Sequence, residues 1–213
     1  MLSPQLDIYR HISKRVSGLD IWEVGFGTGF GTVLLSSSAD SVYATEIDEA
    51  AVSFAKQVFP LRNITWITGD VTHGHITVSH DAIVCLEVLE HIPDWVSAIS
   101  VMRDHLGQSG TLYISGPNAN ANLRKNDKHE REWTAQEFKD ALGQYFTQVS
   151  LMDYTLTEPQ GDDTHLTPLV AICTNAKTEY EAQVSRQPCK ARRAHKGHKR
   201  TRQGAQGVLQ EWL

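Results

Sequence analysis

The residues that could do chemistry fall into two groups. The first is the run Glu23-Val24-Gly25-Phe26-Gly27-Thr28-Gly29, with further acids at Glu46 and Asp70. Glycine lets a chain turn tightly and lets its backbone come close to a ligand, because no Cβ intervenes. Glu46 stands 21 residues after Gly25, where an acid at a strand end can accept both hydroxyls of a ribose. Asp70 follows Gly69, and a plain turn is the competing reading of that pair. A dinucleotide loop, G-x-G-x-x-G, is excluded on spacing. Its third small residue would have to stand at Phe30, Thr32 or Leu34, depending on the register, and none of these is glycine or alanine.

The second group is Glu87-Val88-Leu89-Glu90-His91. If these residues form a helical turn, Glu87, Glu90 and His91 share one face at i, i+3 and i+4. Two carboxylates and an imidazole could hold Mg²⁺, Mn²⁺ or Fe²⁺, and His129 could add a fourth ligand. His91 is also a candidate general base, because an unperturbed imidazole titrates near neutrality.

The elements that must position these residues alternate. Strands are expected at 20–24, 42–45, 64–68, 81–86, 110–115, 147–152 and 168–173. Helices are expected at 5–16, 28–37, 48–58, 93–106 and 134–142. Asp48 is the expected N-cap of the third helix. Thr134 with Glu137 forms a capping box for the last, and Pro93 suits a first turn. Alternating strands and helices imply an α/β fold with a mostly parallel sheet covered on both faces. Ligands of such sheets sit beyond the carboxyl ends of the strands, where both groups lie.

Charge is unevenly placed. Residues 1–185 carry twelve basic against twenty-four acidic side chains, and residues 186–213 carry eight against one. Residues 1–176 therefore read as one domain, and 177–213 as a basic, flexible tail that could attract polyanions such as RNA. No apolar run approaches the roughly 20 residues of a membrane span. The start lacks a secretion signal. Cys85, Cys173 and Cys189 form neither a disulfide framework nor a zinc pattern. A reducing, cytoplasmic setting is the simplest expectation.

The loop Glu-x-Gly-x-Gly-x-Gly resembles the cofactor loop of class I S-adenosylmethionine-dependent methyltransferases. That resemblance implies a Rossmann-like, seven-stranded fold. It also implies cofactor contacts at Glu23, Gly25, Gly27, Gly29, Glu46, Asp70, Val71 and Glu87, with Asp70 at the adenine amino group and Val71 against the ring. Residues 81–94 resemble the segment after the fourth strand in ubiquinone-biosynthesis O-methyltransferases and in many glycan and natural-product methyltransferases. The next family segment is resembled by residues 110–118. His129-Glu130-Arg131-Glu132-Trp133-Thr134 resembles the H-x-x-E-W-T segment of small-RNA 3′-terminal 2′-O-methyltransferases. In those enzymes Glu-x-x-Glu-His and the later histidine bind a catalytic metal, which falls here on Glu87, Glu90, His91 and His129. The resemblance spans residues 18–152. It implies methyl transfer to a hydroxyl or amine of a small-molecule, glycan or lipid-linked acceptor, with His91 and His129 as catalytic candidates. The alternatives are a metal-dependent RNA 2′-O-methyltransferase and a non-catalytic cofactor-binding module.

Overall fold

A computed structural model describes residues 4–73, 78–121, 127–158 and 168–177. The basic segment 190–200 and Cys189 lie outside the described residues. In chain order the elements are α1 (Pro4–Ser13), β1 (Asp20–Val24), α2 (Phe30–Ser36), β2 (Ser41–Glu46), α3 (Glu49–Val58), β3 (Ile64–Thr68), β4 (His80–Cys85), α4 (Trp95–Asp104), β5 (Leu106–Gly116), α5 (Ala135–Gly143), β6 (Phe146–Met152) and β7 (Leu169–Ala176). Short 3₁₀ turns at Val71–His73 and Leu89–His91 follow β3 and β4.

The strands form one seven-stranded sheet in the order β3-β2-β1-β4-β5-β7-β6. The first five are parallel; β7 runs antiparallel to both β5 and β6. The order reverses at β1, which pairs with β2 on one side and β4 on the other. Val24 lies opposite both Thr45 and Cys85. The loops leaving these strands therefore emerge side by side at the reversal point, where open α/β sheets bind ligands.

Period-two alternation splits the core between two faces. Trp22, Val24, Ile83 and Cys85 pack with Ile99 and Met102 of α4 and Phe138 and Leu142 of α5. Ile21, Ala82 and Val84 pack with Ile8 and Ile12 of α1, Leu35 of α2 and Val52 and Ala55 of α3. Strands buried on both faces read as continuous apolar runs, which is why β1 and β4 stand out in the sequence.

Asp48 caps α3 by accepting from Ala50 N, and Thr134 with Glu137 forms the expected capping box. Several boundaries differ from expectation: α1 ends at Ser13 rather than 16, α2 begins at Phe30 rather than 28, and β7 runs on to Ala176. α4 begins at Trp95, after an N-cap at Asp94 that accepts from Ser97 N, so Pro93 precedes the cap rather than occupying the first turn. β5 begins at Leu106 and carries Gly110 inside it, where the strand was expected to start at 110. Its pairing with β4 shifts register between His80 and Ala82, and that irregularity accommodates the glycine-bearing start of the strand.

Candidate functional site

The glycine run is a left-handed turn held from below. Gly25, Gly27 and Gly29 have φ of 69°, 57° and 82°, which side-chain-bearing residues rarely adopt. At Gly25 the space is also spoken for, because a Cβ would overlap the Val88 side chain. At Gly27 it is not: a Cβ there meets nothing within 4 Å. The loop after β1 thus touches the loop after β4 at Gly25 and presents open space above Gly27.

Glu46, at the end of β2, reaches this loop. Its Oε2 accepts from Gly27 N at 3.0 Å, and its Oε1 accepts from the amides of Ile47 and Asp48 at 2.8 and 3.2 Å. Glu23 lies beneath, 1 % exposed. Its Oε1 accepts from the Tyr9 hydroxyl at 2.7 Å. Burial raises the Glu23 carboxyl to about 7; the Thr32 and Tyr9 hydroxyls oppose the rise and the charge of Glu46 adds to it. Sequence reading assigned Tyr9 no role. Gly31 makes room for its ring, since a Cβ there would overlap it.

Asp70 is engaged locally. Its Oδ1 accepts from the amide and the hydroxyl of Thr72, at 2.8 and 2.7 Å, and Oδ2 lies 3.2 Å from His73 Nδ1. Burial acts to raise this carboxyl, but the Thr72 bonds and His73 outweigh it and hold the group below the usual carboxylate range. The turn reading of Gly69-Asp70 therefore describes its geometry. Val71 opens the 3₁₀ turn and is buried.

The segment after β4 departs from expectation. Only Leu89–His91 forms a turn, and Glu87 precedes it with φ of 57°. A single continuous helical turn from 87 to 91 is thus not formed. Glu87 instead faces Ser115: its amide donates to Ser115 Oγ at 3.1 Å, and its Oε1 accepts from that hydroxyl at 2.7 Å. Burial raises the Glu87 carboxyl, while Ser115 and His129 oppose the rise. A non-glycine residue at positive φ is a local cost that surrounding contacts must sustain.

Glu90, His91 and His129 do come together, with one donor atom from each lying within 4.8 Å of the others. Glu87 is not part of this group. The His91 and His129 rings stand 5.1 Å apart, edge to face. His91 Nδ1 lies 3.2 Å from Lys128 O, and His129 Nδ1 lies 2.9 Å from Glu132 Oε1. A carbonyl and a carboxylate accept, so in the neutral form of each ring Nδ1 carries the proton and Nε2 the lone pair. Glu90 is 1 % exposed, and its Oε2 has no hydrogen-bond partner among the described residues. Burial and the charge of Glu87 raise its carboxyl to about 8. A carboxylate with two imidazole Nε2 donors suits a first-row divalent ion. Glu132 supplies the outer carboxylate that orients such ligands. Sequence reading quoted Glu132 only within a motif and assigned Ser115 nothing.

The segment bearing His129 is fixed by main-chain bonds. Glu130 N and Arg131 N donate to Glu90 O at 2.8 and 3.4 Å, and Ala119 N donates to Trp133 O at 2.8 Å. Residues 40 apart in the sequence are brought together in this way.

Residues 22–114 match the protein family described as methyltransferase domain. Over these residues, fewer than half of the chain, the sequence is similar to that methyltransferase domain. A probable S-adenosylmethionine-dependent methyltransferase of Mycolicibacterium smegmatis is 27 % identical over 146 residues, or 63 % of this chain and 54 % of that protein. The chain spans about half the length of the curated relatives it matches. Among solved structures, the N-methyltransferase NodS of Bradyrhizobium japonicum, in complex with S-adenosyl-L-homocysteine, superimposes with a TM-score of 0.62. It shows 20 % identity over 80 % of this chain and 85 % of that one. The methyltransferase domain of a bacterial CtHen1 protein gives 0.64 and 18 % identity over 80 % and 97 %. At these identities both share the methyltransferase domain's fold. No helix among the described residues is long and apolar enough to cross a membrane.

The glycine loop fits the cofactor of the methyltransferase domain. The three left-handed glycines with open space above Gly27, and Glu46 beside them, suit a ligand that carries a ribose.

Proposed function

We propose that this domain methylates a hydroxyl of a small-molecule, glycan or lipid-linked acceptor, and that residues 23–29 and Glu46 hold the methyl donor. S-adenosylmethionine supplies an already activated methyl group, so the chain's own task is alignment and removal of the acceptor proton. The observation that carries the reading is the Glu90–His91–His129 group, placed beside the glycine loop by the contact of Val88 with Gly25.

His91 is exposed, and the lone pair on its Nε2 can take a hydroxyl proton. Glu90 lies 3.9 Å from that nitrogen and, once ionised, would stabilise the imidazolium that results. Where a divalent ion is bound, Glu90, His91 and His129 would hold it. It would lower the pKa of a coordinated hydroxyl.

One observation favours a second reading, an RNA ribose 2′-hydroxyl as acceptor. His129 and Glu132, the two motif positions resembling the small-RNA enzymes, meet at 2.9 Å and join Glu90 and His91. Against it stands the acidic balance of residues 1–185, which repels a phosphate backbone.

The test is transfer of tritiated methyl across small-molecule, glycan and RNA pools, with Mn²⁺ or with EDTA. Transfer to a hydroxyl is expected, with Glu90→Gln and His129→Ala lowering it at least about 100-fold. Transfer unaffected by both substitutions would overturn the assignment of this group. Transfer that survives EDTA would remove the metal and leave His91 as the base.

A further inference from the structure

Two residues beyond His129, Arg131 sits in the corner formed by two indoles. Its guanidinium carbon lies 5.3 Å from the Trp95 ring centroid and 5.5 Å from that of Trp133. The two indoles meet edge to face, 85° apart, with centroids 6.1 Å from each other. Trp133 is completely buried and packs on Phe138, so this corner is rigid. An aromatic corner holds a guanidinium in place without neutralising it.

Arg131 is also left without an anion. Its Nε is buried with no hydrogen-bond partner, and among the described residues no carboxylate lies at ion-pair distance from it. The adjacent acid that could serve, Glu132, is turned to His129. In a body with twice as many acidic as basic side chains, an immobilised cation without a counter-charge calls for an explanation. Its backbone is bonded to Glu90 O, which places it beside the group that would receive the acceptor.

We propose that Arg131 is an anion-binding residue of the acceptor site. It would clamp one phosphate or carboxylate group of a small acceptor so that a hydroxyl of the same molecule lies at Glu90, His91 and His129. Arginine suits the role, because its planar fork offers paired donors to such oxygens and stacks on aromatic faces. A single anion fits better than a polyanion, since one fixed cation can satisfy it while the surrounding acidic surface repels a longer chain of charges. The proposal rests on the hydroxyl-acceptor reading for its purpose, but its test needs no methyl transfer, so the two can fail separately.

Inorganic phosphate and acetate are titrated, at matched ionic strength, into the full chain saturated with S-adenosyl-L-homocysteine. Indole ¹H–¹⁵N signals are followed. The signals of Trp95 and Trp133 should move with one or both anions, and which anion moves them separates a phosphate-bearing acceptor from a carboxylate-bearing one. Arg131→Gln should weaken the titration about tenfold or more, equivalent to about 1.4 kcal/mol. Arg131→Lys should fall between, since it keeps the charge but not the fork. S-adenosyl-L-homocysteine affinity should stay unchanged in both, which confirms that the variants are folded. Unmoved Trp95 and Trp133 signals in the native chain at tens of millimolar anion would overturn the proposal. So would an Arg131→Gln titration equal to that of the native chain.

Discussion

The two halves of the proposed site are made from different materials. The donor side is shaped by backbone: three glycines in left-handed conformations, an amide of that loop bonded to Glu46, and a buried acid beneath. The acceptor side is shaped by side chains from separate segments. Glu90 and His91 follow β4, Trp95 opens α4, and His129 to Trp133 precede α5. Backbone constraints leave a mark in one short stretch of sequence. A cluster assembled from distant segments leaves only scattered residue types. Different perturbations should therefore disable each half while sparing the other.

Gly27→Val should have the largest effect on the donor side. A Cβ at Gly27 meets no atom within 4 Å, and the left-handed strain of a side-chain-bearing residue there is roughly 1–2 kcal/mol. If that space is the cofactor's, affinity for S-adenosylmethionine should fall at least about 100-fold, or about 2.7 kcal/mol, by calorimetry. Gly25→Val is a less discriminating probe, because there the strain is joined by overlap with Val88. Native affinity in a folded Gly27→Val chain would break the comparison at its first half. Glu90→Gln and His129→Ala are the converse test, with transfer lost and cofactor affinity changed by no more than about twofold.

How much was legible follows the same division. The strands, the two caps and the glycine loop were readable because each depends on local rules: apolar runs, capping chemistry and positive φ. The alternation implies a mostly parallel sheet but not which strands neighbour, so the reversal at β1 was not legible. The acceptor side was readable only as residue types. Spacing suggested that Glu87 shares a helical face with Glu90 and His91, but the chain leaves β4 through a left-handed residue, and Glu87 turns to Ser115. No pattern in 87–91 encodes that turn, because Ser115 comes from β5. Tyr9 was invisible for the same reason, since it meets Glu23 across two elements. Asp70 shows the opposite case, a residue bonded within its own turn.

Buried acids give both halves a common pH signature of intermediate size. Glu23 is raised to about 7 and Glu90 to about 8, each chiefly by burial. Their folded-state values lie above the ordinary carboxyl range, so the folded chain binds these protons more tightly than the unfolded one. No penalty exists while both states are protonated. It grows as pH rises past the ordinary value and is complete above the folded one. Stability of the ligand-free chain should therefore fall between about pH 4.5 and 8. Asp70 and Asp153, held low by their local bonds, act with the opposite sign and only below about pH 4. Thermal melts should show Glu23→Gln removing the part of the decline that ends near 7 and Glu90→Gln the part that ends near 8. His80, held low by burial, acts with the opposite sign up to about pH 6.5, so a native melting temperature that stays flat or rises between about pH 6.5 and 8 would refute the buried, protonated acids. Mn²⁺ should raise the melting temperature at pH 8 in the native chain and not in Glu90→Gln, which ties the second step to the acceptor side.

The smallest expected effects come from the two caps, and they sharpen the comparison most finely. Asp48 and Thr134 make the same kind of bond, and replacing either by alanine should cost about 1 kcal/mol, or roughly 2–4 °C in Tm. Their neighbours differ. The amide of Asp48 donates to Glu46, whose other oxygen holds Gly27, so Asp48→Ala loosens the donor loop. Thr134 follows Trp133 directly and fixes the start of α5, so Thr134→Ala loosens the segment that carries His129 and Arg131. With equal losses of stability, the first should weaken cofactor binding a few-fold and leave the Trp95 and Trp133 response to anions intact. The second should do the reverse. If both variants shift both measurements alike, the two regions are coupled through the Val88 contact with Gly25, and that contact transmits strain between them.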